Sequence, residues 1–324
     1  MIEVNKDKVK EMGELLKHLD LKFNVFPKIK KAGSREEAER TLTLLFYVDA
    51  ICHQTRKFEG YVDDKHLKGW DYLFACFERK LKEDADFINV DRMRKITGTQ
   101  LGEILMGSGE RYYERAYLLR NAAIILKRDF SGSVMKINEI SEGFIKREDG
   151  KGMHDLMRRF KAYSDPLGKK IFLFLNFTKK VGFWEIRDPE NLWTPVDYHL
   201  ERVSLRIGLV DIDKKTFDKL SKGKKVPLTF DIKLREKIGG SVKEVSNISR
   251  IPIENLDQLF WSLGRSLCLR EGPFCDGRDM ENCTLKDITG IPCKNKCIFS
   301  SKCSAYKDPG RKALKESNIY TIYY

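Results

Sequence analysis

The chain has 324 residues, 41% of them apolar and 34% charged, with a formal net charge of +13. That length supports a substantial core in one large domain or two, and no apolar run is long enough to span a bilayer. The basic excess is spread along the sequence and not gathered in a polybasic tail, which favours nucleic acid over an anionic membrane as partner. The opening Met-Ile-Glu-Val-Asn-Lys-Asp-Lys lacks the apolar core of a signal peptide, so a cytoplasmic protein is expected.

In chain order, residues 8–19 show a charged helix pattern that Pro27 and Gly33 interrupt. Ser34-x-x-Glu37 has the form of a capping box and opens a helix predicted to run to Thr55 through the apolar stretch Leu42–Cys52. Trp70–Lys82 carries an apolar stripe of Tyr72, Leu73, Cys76 and Phe77. Further helices are predicted over 89–106, 110–129, 137–145 and 153–163. Residues 171–181 follow Ser164-Asp-Pro-Leu-Gly168, and Phe172 to Phe177 is apolar nearly all round, as in a helix buried in a core. Beyond residue 210, helices are predicted over 213–222, 231–245 and 253–269. Strand signals are scarce, so the expected fold class is all-α.

Trp193–Val210 holds the sharpest chemistry. Thr194 reads as an N-cap with Pro195 at the first helical position, Leu200, Val203 and Ile207 form the apolar face, and Gly208 is the stop. Asp197 falls in the first turn. From spacing, Thr194-x-x-Asp197 reads as a capping box, with the carboxylate satisfying orphan amides.

Six of the eight cysteines, Cys268, Cys275, Cys283, Cys293, Cys297 and Cys303, crowd into a tail rich in turn residues, whereas Cys52 and Cys76 sit in apolar stripes as small hydrophobes. In a cytosolic chain such a cluster implies metal before disulfides, either an iron–sulfur cluster or Zn²⁺.

Val196-Asp197-Tyr-His-Leu-x-Arg202-Val-x-x-Arg206-Ile-Gly-Leu209 resembles the Val-Asp-Thr-His-x-x-Arg-Val-x-x-Arg-x-Gly-Leu block of the helix-hairpin-helix DNA glycosylases, the endonuclease III superfamily. The resemblance implies that Asp197 is the catalytic carboxylate. Leu263-Gly-Arg-Ser-Leu-Cys268, then Cys275 six residues on, and Cys297 with Cys303 five residues on, resemble that family's Cys-x6-Cys-x2-Cys-x5-Cys loop. The implied ligands of a [4Fe–4S] cluster are Cys268, Cys275, Cys297 and Cys303. The chain departs from the pattern by an insertion carrying Cys283 and Cys293, which stand as alternates, and Zn²⁺ stands as the alternative metal.

Asp165-Pro-Leu-Gly168-Lys-Lys170 sits where the family has its hairpin, Leu-Pro-Gly-Val-Gly-x-Lys, and keeps one of the two glycines. It implies Lys170, or Lys169 after a one-residue slip, as the amine that attacks the sugar. Candidates to line a base pocket are His53, Gln54, Trp70 and Trp193, with Phe46, Phe58 and Trp184 beside them. The Lys–Asp interval is closer to that of the archaeal 8-oxoguanine glycosylases. The segments around Leu45–Cys52, Gly69-Trp-Asp-Tyr-Leu73 and Asp197-Tyr198 also resemble queuosine salvage proteins, which hydrolyse a modified nucleoside and lack the cysteine loop.

Together these imply a two-lobed helical fold. One domain spans 36–189, and a second, made of 1–35 plus 190–324, carries the cysteine-rich loop at 268–303. The expected protein is a prokaryotic or archaeal monomer that excises a damaged base from double-stranded DNA, with lyase activity if the lysine acts.

Overall fold

In a computed structural model, the structure describes residues 1–23, 29–276, 283–290 and 296–324. The chain is mostly helical, and strands among the described residues are confined to two short antiparallel pairs. No described helix is long and apolar enough to cross a membrane. The chain divides into two compact units, Met1–Phe26 with Trp193–Tyr320 and Pro27–Leu192 with Thr321–Tyr324.

The central unit is built around the helix Arg35–Ala50. Ser34 caps it by accepting from the Glu37 amide at 3.1 Å, while the Glu37 carboxylate turns back to the Gly33 amide at 2.7 Å. Every residue from Leu42 to Ala50 is buried, so the helix is enclosed by its neighbours. The helix Lys169–Val181 packs against it, and Tyr163 locks the joint by donating to the Phe46 carbonyl at 2.7 Å. The stretch expected as one helix over 89–106 is two, Val90–Met93 and Gly98–Ile104. Thr97 and Gln100 form a full capping box that starts the second one afresh. A hairpin, Glu59–Val62 with Lys65–Lys68, turns through Asp63 and Asp64, both left-handed at φ 47° and 61°. Two positive φ values suit a tight hairpin turn, and aspartate tolerates them better than most residues.

Gly109 shows how closely this unit is packed. It sits at φ 94°, and a Cβ there would lie 1.8 Å from the ring of buried Phe58. Gly107 is also left-handed at φ 73°, but a Cβ would meet nothing within 4 Å. Gly109→Ala is therefore expected to cost about 3 kcal/mol from combined strain and overpacking, and Gly107→Ala about 1 kcal/mol. Thermal melts of the two variants check this; equal midpoints would show that Phe58 yields without cost.

The other unit joins the helices Lys6–Lys17, Tyr198–Ile207, Leu228–Ser249 and Ile253–Ser266 around a core that includes Leu200, Val203, Leu234, Ile238, Leu259 and Phe260. Ile2–Val4 pairs antiparallel with Val210–Ile212, and Gly13 lets the first helix approach Ile248 closely. The helix expected to start at Pro195 begins one turn later, at Tyr198, with Asp197 itself as N-cap. Thr194 is buried, and its hydroxyl has no hydrogen-bond partner among the described residues. Pro195 leaves Thr194 disfavoured for the helical region, which pushes the helix start downstream.

Candidate active site and cysteine pocket

In the central unit, Asp165-Pro-Leu-Gly168 closes as a turn with the Gly168 amide donating to the Asp165 carbonyl at 2.9 Å. The Asp165 carboxylate accepts from the Lys169 amide at 3.0 Å, and Gly168 takes a left-handed φ of 64° to launch the next helix. Lys169 and Lys170 occupy its first turn, yet both side chains are buried instead of solvated. Lys170 has no exposed surface. Its Nζ donates to the Ala50 carbonyl at 2.6 Å and lies 3.4 Å from His53 Nδ1. Lys169 Nζ lies 3.9 Å from Cys52 Sγ. Burial pulls the Lys170 ammonium down to about 7, with the charges of Lys169 and Arg115 adding to it and Cys52 and Asp49 opposing it. The positive end of the helix dipole acts in the same direction.

The structure gathers other groups here. His53 is fully buried, and its Nε2 meets Glu114 Oε1 at 3.1 Å. Burial holds the imidazole well below its usual range, and the Lys170 charge reinforces this. Asp49 is fully buried, accepts from Trp70 Nε1 at 3.2 Å, and is pushed up to about 7 by burial. Its Oδ2 has no hydrogen-bond partner among the described residues. Trp70 stacks on Phe74, with centroids 4.8 Å apart, and leans over Phe177. Gln54, left-handed at φ 46°, accepts from Arg111 at 2.8 Å. Arg115 is buried and donates to the carbonyls of Ile51 and His53, closing the end of the Arg35–Ala50 helix. His53, Trp70, Lys169 and Lys170, expected from sequence, thus share a neighbourhood with Asp49, Cys52, Glu114 and Arg115, which were not. Phe46, Phe58 and Trp184 are core residues, packed on Tyr163, Arg115 and Phe174 respectively.

In the other unit, Asp197 accepts through Oδ1 from the amides of His199 at 2.8 Å and Leu200 at 3.0 Å, and is 6% exposed. The carboxylate therefore does cap its helix, at the N-cap position. Trp193 lies against Gly239, with Lys243 Nζ 5.6 Å from its ring centre. The polar face of the helix is buried too. Arg202 donates to the Cys268 carbonyl at 2.8 Å, the Gly264 carbonyl at 2.7 Å and Glu316 at 2.6 Å. Arg206 donates to the carbonyls of Leu269, Arg270 and Leu314 and approaches Cys268 Sγ at 3.4 Å. Glu201 accepts from both the amide and the hydroxyl of Ser317, and burial keeps its carboxyl well above the usual range, with Asp231 adding to it. One ten-residue helix thus pins the C-terminal tail by buried polar contacts, each compensating desolvation that would otherwise be costly.

Cys268, Cys275, Cys297 and Cys303 line one pocket whose other walls include Val203, Ile207, Leu263 and Phe299. None is in a disulfide, and the Cys297 amide donates to the Cys275 carbonyl at 3.3 Å. Burial pushes the Cys275 thiol up to about 11 and raises Cys297 and Cys303 as well; the neighbouring thiols add to each shift. Cys283 is half-buried against the same core but is not among the residues lining the pocket. Cys293 lies outside the described residues. Among the described residues, no three or more His, Cys, Asp or Glu side chains converge as a ready single-ion site.

No model of a known protein family matches the sequence, and no curated protein matches it either.

Proposed function

We propose that the chain is a DNA N-glycosylase of the helix-hairpin-helix kind, releasing a modified base with Asp197 as the charge-stabilising carboxylate and Lys170 as the attacking amine. The observation that carries this reading is the placement of Lys170: a lysine at a helix start, after a left-handed glycine, fully buried with its Nζ on the Ala50 carbonyl and 3.4 Å from His53 Nδ1, where burial lowers the ammonium to about 7. An amine must be neutral to attack C1′, and burial supplies that state near neutral pH.

Breaking the N-glycosidic bond builds positive charge on the sugar, which a fixed carboxylate stabilises electrostatically. Two amides hold Asp197 Oδ1 in place, so that charge needs no reorganisation. As the base departs with its bonding pair and takes up a proton, the Lys170 nitrogen bonds to C1′ and sheds a proton. Ring opening then gives the protonated imine, and water later hydrolyses it to restore the lysine. The +13 charge supports a polyanionic substrate.

The pocket thiols suit a soft metal centre: four sulfurs with apolar walls, raised in pKa and so in need of a cation to ionise. Cys268, Cys275, Cys297 and Cys303 would hold a [4Fe–4S] cluster. Zn²⁺ is the alternative metal for the same four thiolates. Once bound, the cluster supplies a cross-link that folds the tail. Protein purified without oxygen is expected to be brown with about four irons per chain, and Cys297→Ala to lose the iron and expose the tail to protease. Colourless protein containing zinc would reverse the metal assignment.

The function is tested by incubating the protein with duplexes carrying oxidised, deaminated or alkylated bases. Base release from one of them is the expected result. Release from free modified nucleosides instead would favour the queuosine-salvage resemblance, and release from neither would leave a non-catalytic nucleic-acid-binding protein.

A further inference from the structure

We propose that His53 and Glu114 form a proton relay serving Lys170, in which Glu114 both orients the imidazole and carries its proton to water. This rests on Lys170 being the amine of the reading above and names how that amine loses its proton. Lys170, His53 and Glu114 stand in line within the central unit, 3.4 Å from Nζ to Nδ1 and 3.1 Å from Nε2 to Oε1.

The hydrogen-bond partners fix the tautomer. An ionised Glu114 accepts hydrogen bonds and cannot donate, so His53 Nε2 carries the hydrogen and Nδ1 presents its lone pair to Lys170. Arg111 holds Glu114 at 2.5 Å and is itself anchored on Gln54 and the Thr321 carbonyl. His53 and Lys170 are sealed from water, whereas the Glu114 side chain is 26% exposed, so the chain of atoms leads from the buried amine to solvent. Gln54 and Arg111, which brace the relay, both hold left-handed backbone at φ 46° and 62°. Strain of that kind in two non-glycine residues persists where the surroundings enforce it.

The protons balance. Lys170 ammonium passes one to His53 Nδ1, the imidazolium passes its Nε2 proton to the Glu114 carboxylate, and Glu114 releases it to water. The amine is left with its lone pair and His53 with its hydrogen on Nδ1; when hydrolysis frees Lys170, the amine takes that proton back, Nε2 regains one from water through Glu114, and the resting tautomer returns. The charged and titratable groups facing Lys170 and His53 are Asp49 and Cys52 from the Arg35–Ala50 helix and its end, Lys169 from the lysine's own helix, and Arg111, Glu114 and Arg115 from the helix Tyr112–Asp129 and its cap. Asp49 accepts from Trp70 Nε1 and Cys52 lies beside Lys169 Nζ, so His53 is the neutral acceptor that the geometry gives the Lys170 amine.

A duplex carrying one natural abasic site, with cyanoborohydride, reads the relay without knowledge of the base. The aldehyde traps the amine, and peptide mapping identifies the lysine. His53→Gln and Glu114→Gln are each expected to slow trapping by roughly tenfold relative to wild type at pH 7 and to approach wild type at pH 9, where the Lys170 amine, lowered to about 7, is already neutral and needs no acceptor. Glu114, whose side chain is 26% exposed, guards against a His53 variant that does not fold. A wild-type protein that traps on Lys170 while both variants follow its pH profile, or fall equally at every pH, overturns the relay alone. A wild-type protein that gives no adduct overturns the lysine reading and the relay with it.

Discussion

Asp197→Asn is expected to fold as the wild type does and to release base at least about a hundredfold more slowly. The two roles of this side chain can be separated because they use different properties. Capping needs an acceptor oxygen toward the amides of His199 and Leu200, and an asparagine carbonyl provides one. Stabilising a positive sugar needs the full negative charge, which asparagine lacks. Asp197→Ala loses both, and its melting point should fall by the equivalent of about 1 kcal/mol. Single-turnover base release alongside thermal melts of both variants makes the comparison. Full activity in the asparagine variant would reduce Asp197 to a helix cap and end both glycosidic readings.

The helices at 70–83, 112–129 and 169–181 were legible because their apolar stripes and their buried, all-round apolar runs leave a periodic trace. The break inside 89–106 was legible in principle, since Thr97-x-x-Gln100 has the capping-box form, but the flanking pattern outweighs four residues. The Asp63-Asp64 hairpin leaves no glycine to announce its positive φ values. At the candidate site the limits are of another kind. His53 and Gln54 stand out after an apolar run. Asp49 and Cys52 vanish into it, because a helix buried on all sides offers no polar face on which a functional carboxylate would look misplaced. Glu114 and Arg115 read as ordinary charges near a helix start, and their partners are some sixty residues away. Thr194 looked like the cap because it precedes a proline. The backbone instead gave that position to Asp197, so the resemblance that drew attention to Asp197 and the geometry that caps with it concern the same side chain.

Lys170→Met is expected to abolish trapping on an abasic duplex, while Lys169→Met retains it. The alternative use of Lys170 is structural, since its Nζ donates to the Ala50 carbonyl at the end of the Arg35–Ala50 helix, where a cation is favourable. The pH dependence of stability distinguishes a neutral amine from a permanent cap. With the folded ammonium lowered to about 7 and the unfolded one at 10.5, the unfolded chain binds more protons between those values. Wild-type stability therefore gains from this group as pH rises from about 7 toward 10.5. Asp49 acts below that window: raised to about 7 from 3.8, it makes the folded chain bind more protons in between, and its contribution falls as pH rises through that range. Urea melts at several pH values should thus show the wild type gaining stability relative to Lys170→Met as pH rises from about 7 toward 10.5, the raised thiols acting on both proteins alike. A difference between the two proteins that stays flat across that range would mean that Lys170 stays charged when folded, and adduct mapping to Lys169 would transfer the attacking amine to its neighbour beside Cys52.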